Sequence, residues 1–137
     1  MEIQPYLFFE GRCDEALEFY KNALGAQVKM LMRYKEAPEG MCQPGMEEKV
    51  MHSAFSVNGG TVLASDGMAN GQPKFEGISL SLPARDESQA DRFFNALADG
   101  GSVLQPLIKT FFSPSFGMVT DRFGVHWMVV VPQEMPS

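Results

Sequence analysis

The strongest constraint on this chain is that its two halves repeat one another. Ala16, Phe19 and Tyr20 are matched by Ala90, Phe93 and Phe94 at a constant offset of 74, and after one inserted glycine Val28 is matched by Val103. A repeat of this kind is one supersecondary unit used twice. Each copy has an apolar face that it cannot bury alone, so the copies must pack together or with another chain. The chain has 137 residues, 45% of them apolar and 20% charged, which suits one continuous core and a single domain.

Each half reads strand, helix, then three strands. In the first, an apolar run from Ile3 to Phe9 ends at the turn signal Glu10-Gly11. From Asp14, apolar residues at Ala16, Leu17, Tyr20, Ala23 and Leu24 make one helical face, stopped at Gly25. Val28, Met30 and Met32 alternate with polar neighbours, as in a strand with one buried face. Residues 36–48 hold two Pro and two Gly and read as a mobile loop. Val50–Val57 and Thr61–Asp66 form a hairpin around Asn58-Gly59-Gly60.

In the second half, Ile78, Leu80 and Leu82 alternate with Ser79 and Ser81 before Pro83 closes the strand. A helix is expected over Glu87–Ala98, then an extended run Val103–Phe112 broken by Pro106. A closing hairpin joins Phe116–Thr120 to Val125–Val131. The expected division is module one at 1–66, a Gly-rich linker at 67–77 and module two at 78–132.

Charge and composition narrow the function classes. A net charge of −6 with scattered basic residues argues against nucleic acid, whose phosphates need clustered Lys and Arg. No stretch approaches the roughly 20 apolar residues of a membrane span. The first residues lack the basic-then-apolar pattern of a secretory signal, so a cytoplasmic location is expected. Cys13 and Cys42 match no disulfide framework or zinc spacing and read as free thiols.

Three segments carry a family resemblance. Tyr6-Leu7-Phe8-Phe9-Glu10-Gly11-Arg12-Cys13-Asp14-Glu15-Ala16-Leu17-Glu18-Phe19-Tyr20, with Ala23-Leu24-Gly25-Ala26 after it, resembles the opening of PhnB-like proteins. Asn58–Asp66 resembles their central hairpin, and Phe116–Met128 their closing one. These proteins belong to the vicinal oxygen chelate superfamily, with glyoxalase I, bleomycin-resistance proteins and extradiol dioxygenases. The resemblance implies an α+β fold of two βαβββ modules forming a curved, cup-like mixed sheet, and a homodimer. Members often bear the label demethylubiquinone methyltransferase. Methyl transfer is not expected here, because no Gly-rich loop follows a strand with an acidic residue further on.

Enzymes of the superfamily hold a divalent ion with one His or Glu from each of four strands. Carried onto this chain, the ligand positions fall on Pro5, Ala64, Gly77 and Met128, none of which binds a hard cation. A shift of one residue brings in Gln4, Ser65, Glu76 or Ile78, and Trp127 or Val129, of which Gln4 and Glu76 could ligate. Loss of the metal site is the expectation, and a divalent metal on non-standard ligands is the alternative.

The candidate ligand pocket comprises Phe9, Phe55, Ser79, Ser81, Phe112, Phe116, His126 and Met128, with Phe111 and Trp127 as further aromatic surface. His126 shares a strand face with Met128 and is the candidate base; the facing of His52 depends on the hairpin register. Asp66 and Asp121 are expected to stabilise turns. The leading reading is a small-molecule-binding protein without the usual metal. The alternatives are a metal-dependent glyoxalase- or dioxygenase-like enzyme, and a dimeric structural or interaction protein.

Overall fold

The two halves fold as two compact units, Met1–Pro73 and Lys74–Ser137, in a computed structural model that describes residues 2–38, 40, 42–69 and 72–133. The first unit runs β1 (Tyr6–Phe8), α1 (Cys13–Leu24), β2 (Gln27–Arg33), a single 3-10 turn (Tyr34–Glu36), β3 (Val50–Val57) and β4 (Gly60–Ser65). The second runs β5 (Leu80–Pro83), α2 (Glu87–Ala98), β6 (Ser102–Ile108), β7 (Phe116–Thr120) and β8 (His126–Val130). Each unit is a four-stranded mixed sheet, in the order β1-β4-β3-β2 in the first and β5-β8-β7-β6 in the second. In each, the outer first strand pairs in parallel with the last, and the other pairings are antiparallel. This is the α+β architecture expected from the repeat.

The first core lies between α1 and one face of its sheet. Leu7, Phe9, Ser53, Phe55 and Ala64 are all buried, as strand alternation requires of residues on one face. Tyr20 stacks on Phe55 with ring centroids 5.4 Å apart and lies 6.1 Å from Phe9. Burying each of these rings stabilises the fold by about 2–3 kcal/mol. In the second unit α2 packs on β6, β7 and β8, and Leu82, Val119, Trp127 and Val129 are buried.

The two helices start differently. Asp86 caps α2 locally: its carboxylate accepts from Gln89 N at 2.8 Å, and Gln89 Oε1 accepts from Arg85 N at 2.8 Å. Helix α1 has Arg12 at its cap position, with no side-chain cap bond of its own. Instead the buried Asp66, 53 residues away from Cys13, supplies the acceptor. Its Oδ1 accepts from Gly11 N at 3.1 Å and Cys13 N at 2.8 Å, and its Oδ2 from Val50 N at 2.7 Å.

Three expectations are corrected. The first strand is Tyr6–Phe8 rather than Ile3–Phe9, and Ile3 is fully exposed. The fifth strand begins at Leu80, which leaves Gly77, Ile78 and Ser79 before it and Ile78 about half exposed (54%). Pro106 does not break β6; the strand runs through it with register shifts on either side. As the outer strand of its sheet, β6 has no second partner to which Pro106 would need to donate. Finally, the glycine inserted before the second copy's third element answers a local crowding. A Cβ on Gly101 would fall 2.0 Å from the Thr120 carbonyl oxygen.

Replacing Asp66 by Ala should destabilise the protein by about 3 kcal/mol, because three backbone N–H groups lose their acceptor. Urea denaturation monitored by circular dichroism measures this, with Asp86→Ala, which removes only a local cap, expected to cost about 1 kcal/mol.

Candidate active face of the N-terminal sheet

Strand alternation divides the pocket candidates between two faces. Phe9 and Phe55 point to the helix side and are wholly buried, so they are core and not pocket walls. Ala64 pairs with Leu7 and Ser53, both buried, and faces α1 as well. Leu63 and Ser65 are the β4 residues on the opposite face. Trp127 is buried in the second core, where its Nε1 donates to Asp121 Oδ2 at 2.9 Å. Asp121 Oδ1 accepts from Phe123 N and Val125 N, and so holds the β7–β8 turn.

The face of the first sheet away from α1 carries Tyr6 and Phe8 on β1, Leu63 on β4, Ala54 and His52 on β3, and Met32 on β2, as the pairings Tyr6–Leu63, Leu63–Ala54 and His52–Met32 show. Phe8 is half exposed, at 50%, and stacks on Tyr6 with centroids 5.0 Å apart and planes 27° from parallel. The Tyr6 ring lies 5.5 Å from that of His52, and the Tyr6 hydroxyl is 2.8 Å from His52 Nδ1. Since β4 lies between β1 and β3, the length of the tyrosine ring bridges the two strand spacings. The result is a row Phe8–Tyr6–His52 of planar side chains, ending in a hydroxyl–imidazole pair.

At the Phe8 end lies a cavity of about 110 Å³ lined by Tyr34, Gln43, Met46, Gly67 and Met68. The Tyr34 hydroxyl donates to the Gly67 carbonyl at 3.2 Å. Burial first, then the neighbouring Tyr6 and Asp66, push the Tyr34 hydroxyl above its ordinary range, so it stays a neutral donor. Gly67 has a left-handed φ of 55°, and a Cβ there would come 2.8 Å from a Glu10 carboxylate oxygen and 3.1 Å from the Phe8 ring. A side chain at 67 would close the approach between cavity and aromatic row.

In the second unit the face away from α2 carries Ser81 on β5, His126 and Met128 on β8, and Phe116, Met118 and Thr120 on β7. Ser81 is exposed and pairs with Met128, which pairs with Met118. His126 Nδ1 is 2.8 Å from Thr120 Oγ1. Phe116 stands at the far end of β7 from Thr120, with Phe112 edge-on at 5.1 Å and Phe111 edge-on to Phe112 at 5.2 Å. Ser79 is exposed just before β5.

Neither face offers a hard-cation donor set. At the superfamily's ligand strands the outward residues are Tyr6 and Phe8, Leu63 and Ser65, Ser81, and His126 and Met128. Among the described residues, no group of three or more His, Cys, Asp and Glu is placed to hold a metal ion.

Of the residues that matter here, Tyr6, Phe8 and Tyr34 escaped the reading of the sequence. The alternation Tyr6-Leu7-Phe8-Phe9 carried a signal for the first two, since Leu7 and Phe9 cannot share a face with them. His52 could not be placed from sequence because β3 and β2 are offset by a bulge beside it.

The thiols separate sharply. Burial, reinforced by the Asp66 carboxylate, pushes Cys13 from 9.0 up to about 12. A native thiol titration at pH 8 should therefore modify Cys42 and spare Cys13. Between pH 9 and 12 the unfolded chain has lost the Cys13 proton while the folded chain keeps it, so stability falls as pH rises, by about 1.4 kcal/mol per unit. Denaturation across that range should show a steeper loss for the native chain than for Cys13→Ala.

Comparison with known proteins agrees with this architecture. The family model for 3-demethylubiquinone-9 3-methyltransferase matches residues 1–130. Protein YjdN of Escherichia coli K12 is 31% identical over 146 aligned positions, spanning 100% of this chain and 99% of YjdN. The crystal structure of protein PA1353 from Pseudomonas aeruginosa superposes with a TM-score of 0.84 at 41% identity, covering 98% of this chain and 99% of that one. The PhnB protein from Bacillus cereus gives 0.78 at 32% identity, covering 96% and 99%. The fold alone extends to a glyoxalase-related enzyme from Fulvimarina pelagi, with a TM-score of 0.60 at 18% identity over 96% of this chain and 88% of the other.

Proposed function

Because this chain belongs to the 3-demethylubiquinone-9 3-methyltransferase family, the PhnB-like group of the vicinal oxygen chelate superfamily, we propose that it binds a small, planar, partly apolar molecule without the superfamily's usual ion. The observation that carries this reading is the aromatic row Phe8–Tyr6–His52, half exposed on a rigid sheet and bordered by Met32 and Leu63. Aromatic and thioether surface with a few polar groups suits such a ligand. The reaction, if the protein catalyses one, is unknown.

The family's name does not carry methyl transfer to this chain. Nucleotide-type cofactors favour a helix N-terminus opening from a parallel sheet, with free backbone N–H groups. Here the N–H groups of Gly11 and Cys13 before and at the start of α1 are already taken by the Asp66 carboxylate. At the second helix start the Asp86 carboxylate accepts from Gln89 N.

A homodimer is part of the same proposal. The outer strand β6 and the segment after it expose Val103 (47%), Leu104 (53%), Ile108 (47%) and Phe111 (87%), apolar surface that a second copy would cover. No described helix is long and apolar enough to cross a membrane. A cytoplasmic setting fits the two free cysteines.

Thermal shift against a library of planar aromatic compounds, with and without chelator, tests the binding reading. Stabilisation by at least one scaffold, unchanged by chelator and reduced about tenfold in affinity by Phe8→Ala, is expected. No stabilisation across the library would remove the reading, and a requirement for a divalent ion would favour the metal-dependent alternative. Light scattering should report twice the chain mass, falling toward a monomer in a Leu104→Glu, Ile108→Glu variant.

A further inference from the structure

We propose that Tyr6 and His52 form a proton-accepting recognition site for an aromatic ligand bearing an acidic hydroxyl group, a phenol or an enol. This deepens the binding reading above and rests on it.

The geometry is specific. His52 Nδ1 is engaged with the Tyr6 hydroxyl at 2.8 Å, while His52 Nε2 has no hydrogen-bond partner among the described residues. Both rings are half-buried on the face away from α1, which also carries the stacked Phe8–Tyr6 pair. The groups that face His52 from the packed strands are Met32 on β2, the β4 residues Leu63 and Ser65, and Tyr6 on β1. None of them carries a formal charge that would compete for the imidazole.

The hydroxyl–imidazole pair can reverse its polarity. With Nδ1 unprotonated, the Tyr6 hydroxyl donates to it; with Nδ1 protonated, Nδ1–H donates to the Tyr6 oxygen. When a ligand hydroxyl reaches Nε2, its proton moves to that nitrogen. The ligand is left as an oxyanion beside an imidazolium whose Nδ1–H is accepted by Tyr6. One proton has moved, the charges balance within the complex, and no other bond is made or broken. The Thr120–His126 pair of the second unit has the same 2.8 Å hydroxyl–Nδ1 contact. It lacks an adjoining aromatic row, since Phe112 and Phe116 lie toward the opposite end of β7. The proposal is therefore confined to the first pair.

The test uses two probes, 4-nitrophenol and its methyl ether 4-nitroanisole, which share a ring and differ in the acidic proton. Binding is measured by calorimetry, and the nitrophenolate absorption band is followed at a pH below the free phenol's pKa. The full-length protein should bind 4-nitrophenol with growth of the nitrophenolate band. His52→Gln should bind it about tenfold more weakly and without the band. Tyr6→Phe should bind it with a diminished band, and in both variants the loss of affinity for 4-nitroanisole should be far smaller than the loss for 4-nitrophenol. In the native protein, ¹⁵N NMR should show His52 Nε2 moving to the imidazolium position on adding 4-nitrophenol, a readout that does not depend on any variant folding. Equal affinity for the two probes, with no band and no ¹⁵N change, would overturn the proposal while leaving the aromatic platform standing. Failure of both probes to bind would overturn it together with the binding reading.

Discussion

The first unit depends on one buried carboxylate. Asp66 sits at the end of β4, where its own N–H donates to the Val50 carbonyl at 2.9 Å and its oxygens accept from Gly11, Cys13 and Val50. One side chain thereby joins the end of β4, the start of β3 and the turn from β1 into α1. An uncompensated buried carboxylate would be very costly, so its three donors must all be in place. Their arrangement sets where β1 ends, hence where Phe8 emerges and where Glu10 adopts its left-handed φ of 52° beside Gly67. The same charge helps hold the adjoining Cys13 thiol protonated.

From that anchor the two faces of the sheet take different work. The α1 side is filled by Leu7, Phe9, Tyr20 and Phe55, leaving no room for a ligand. The other side presents Phe8, Tyr6 and His52 in a row held by stacking and by one hydroxyl–imidazole contact. A rigid sheet with a helix locked on its back is a firm support for such a row, because side chains on strands move little when the opposite face is packed. On the faces away from the helices the strands present hydroxyls, thioethers and aromatic rings.

The limits of reading the sequence are clearest in particular residues. The turn role of Asp121 was legible because its partners Phe123 and Val125 lie within four residues of it. Asp66 was legible as a turn residue, but not as the cap of a helix 53 residues earlier in the chain. Phe9 and Phe55 were misassigned as pocket walls because aromatic residues serve core and pocket alike, and only the strand's facing separates them. Which face Ala64 takes likewise turns on a single residue of register, because the period of a strand is two.

What the sequence determined by itself was local and periodic: the repeat at an offset of 74, both helices and the hairpins. These follow from spacing along the chain, where interaction partners are only a few residues apart. The tertiary structure alone decided that Asp66 caps α1, that Pro106 sits within an outer strand, and that Tyr6 meets His52 across an intervening strand. Each of those depends on strand order and register. Order and register are set by the packing of one whole sheet face, a sum over many side chains that no short stretch of sequence contains.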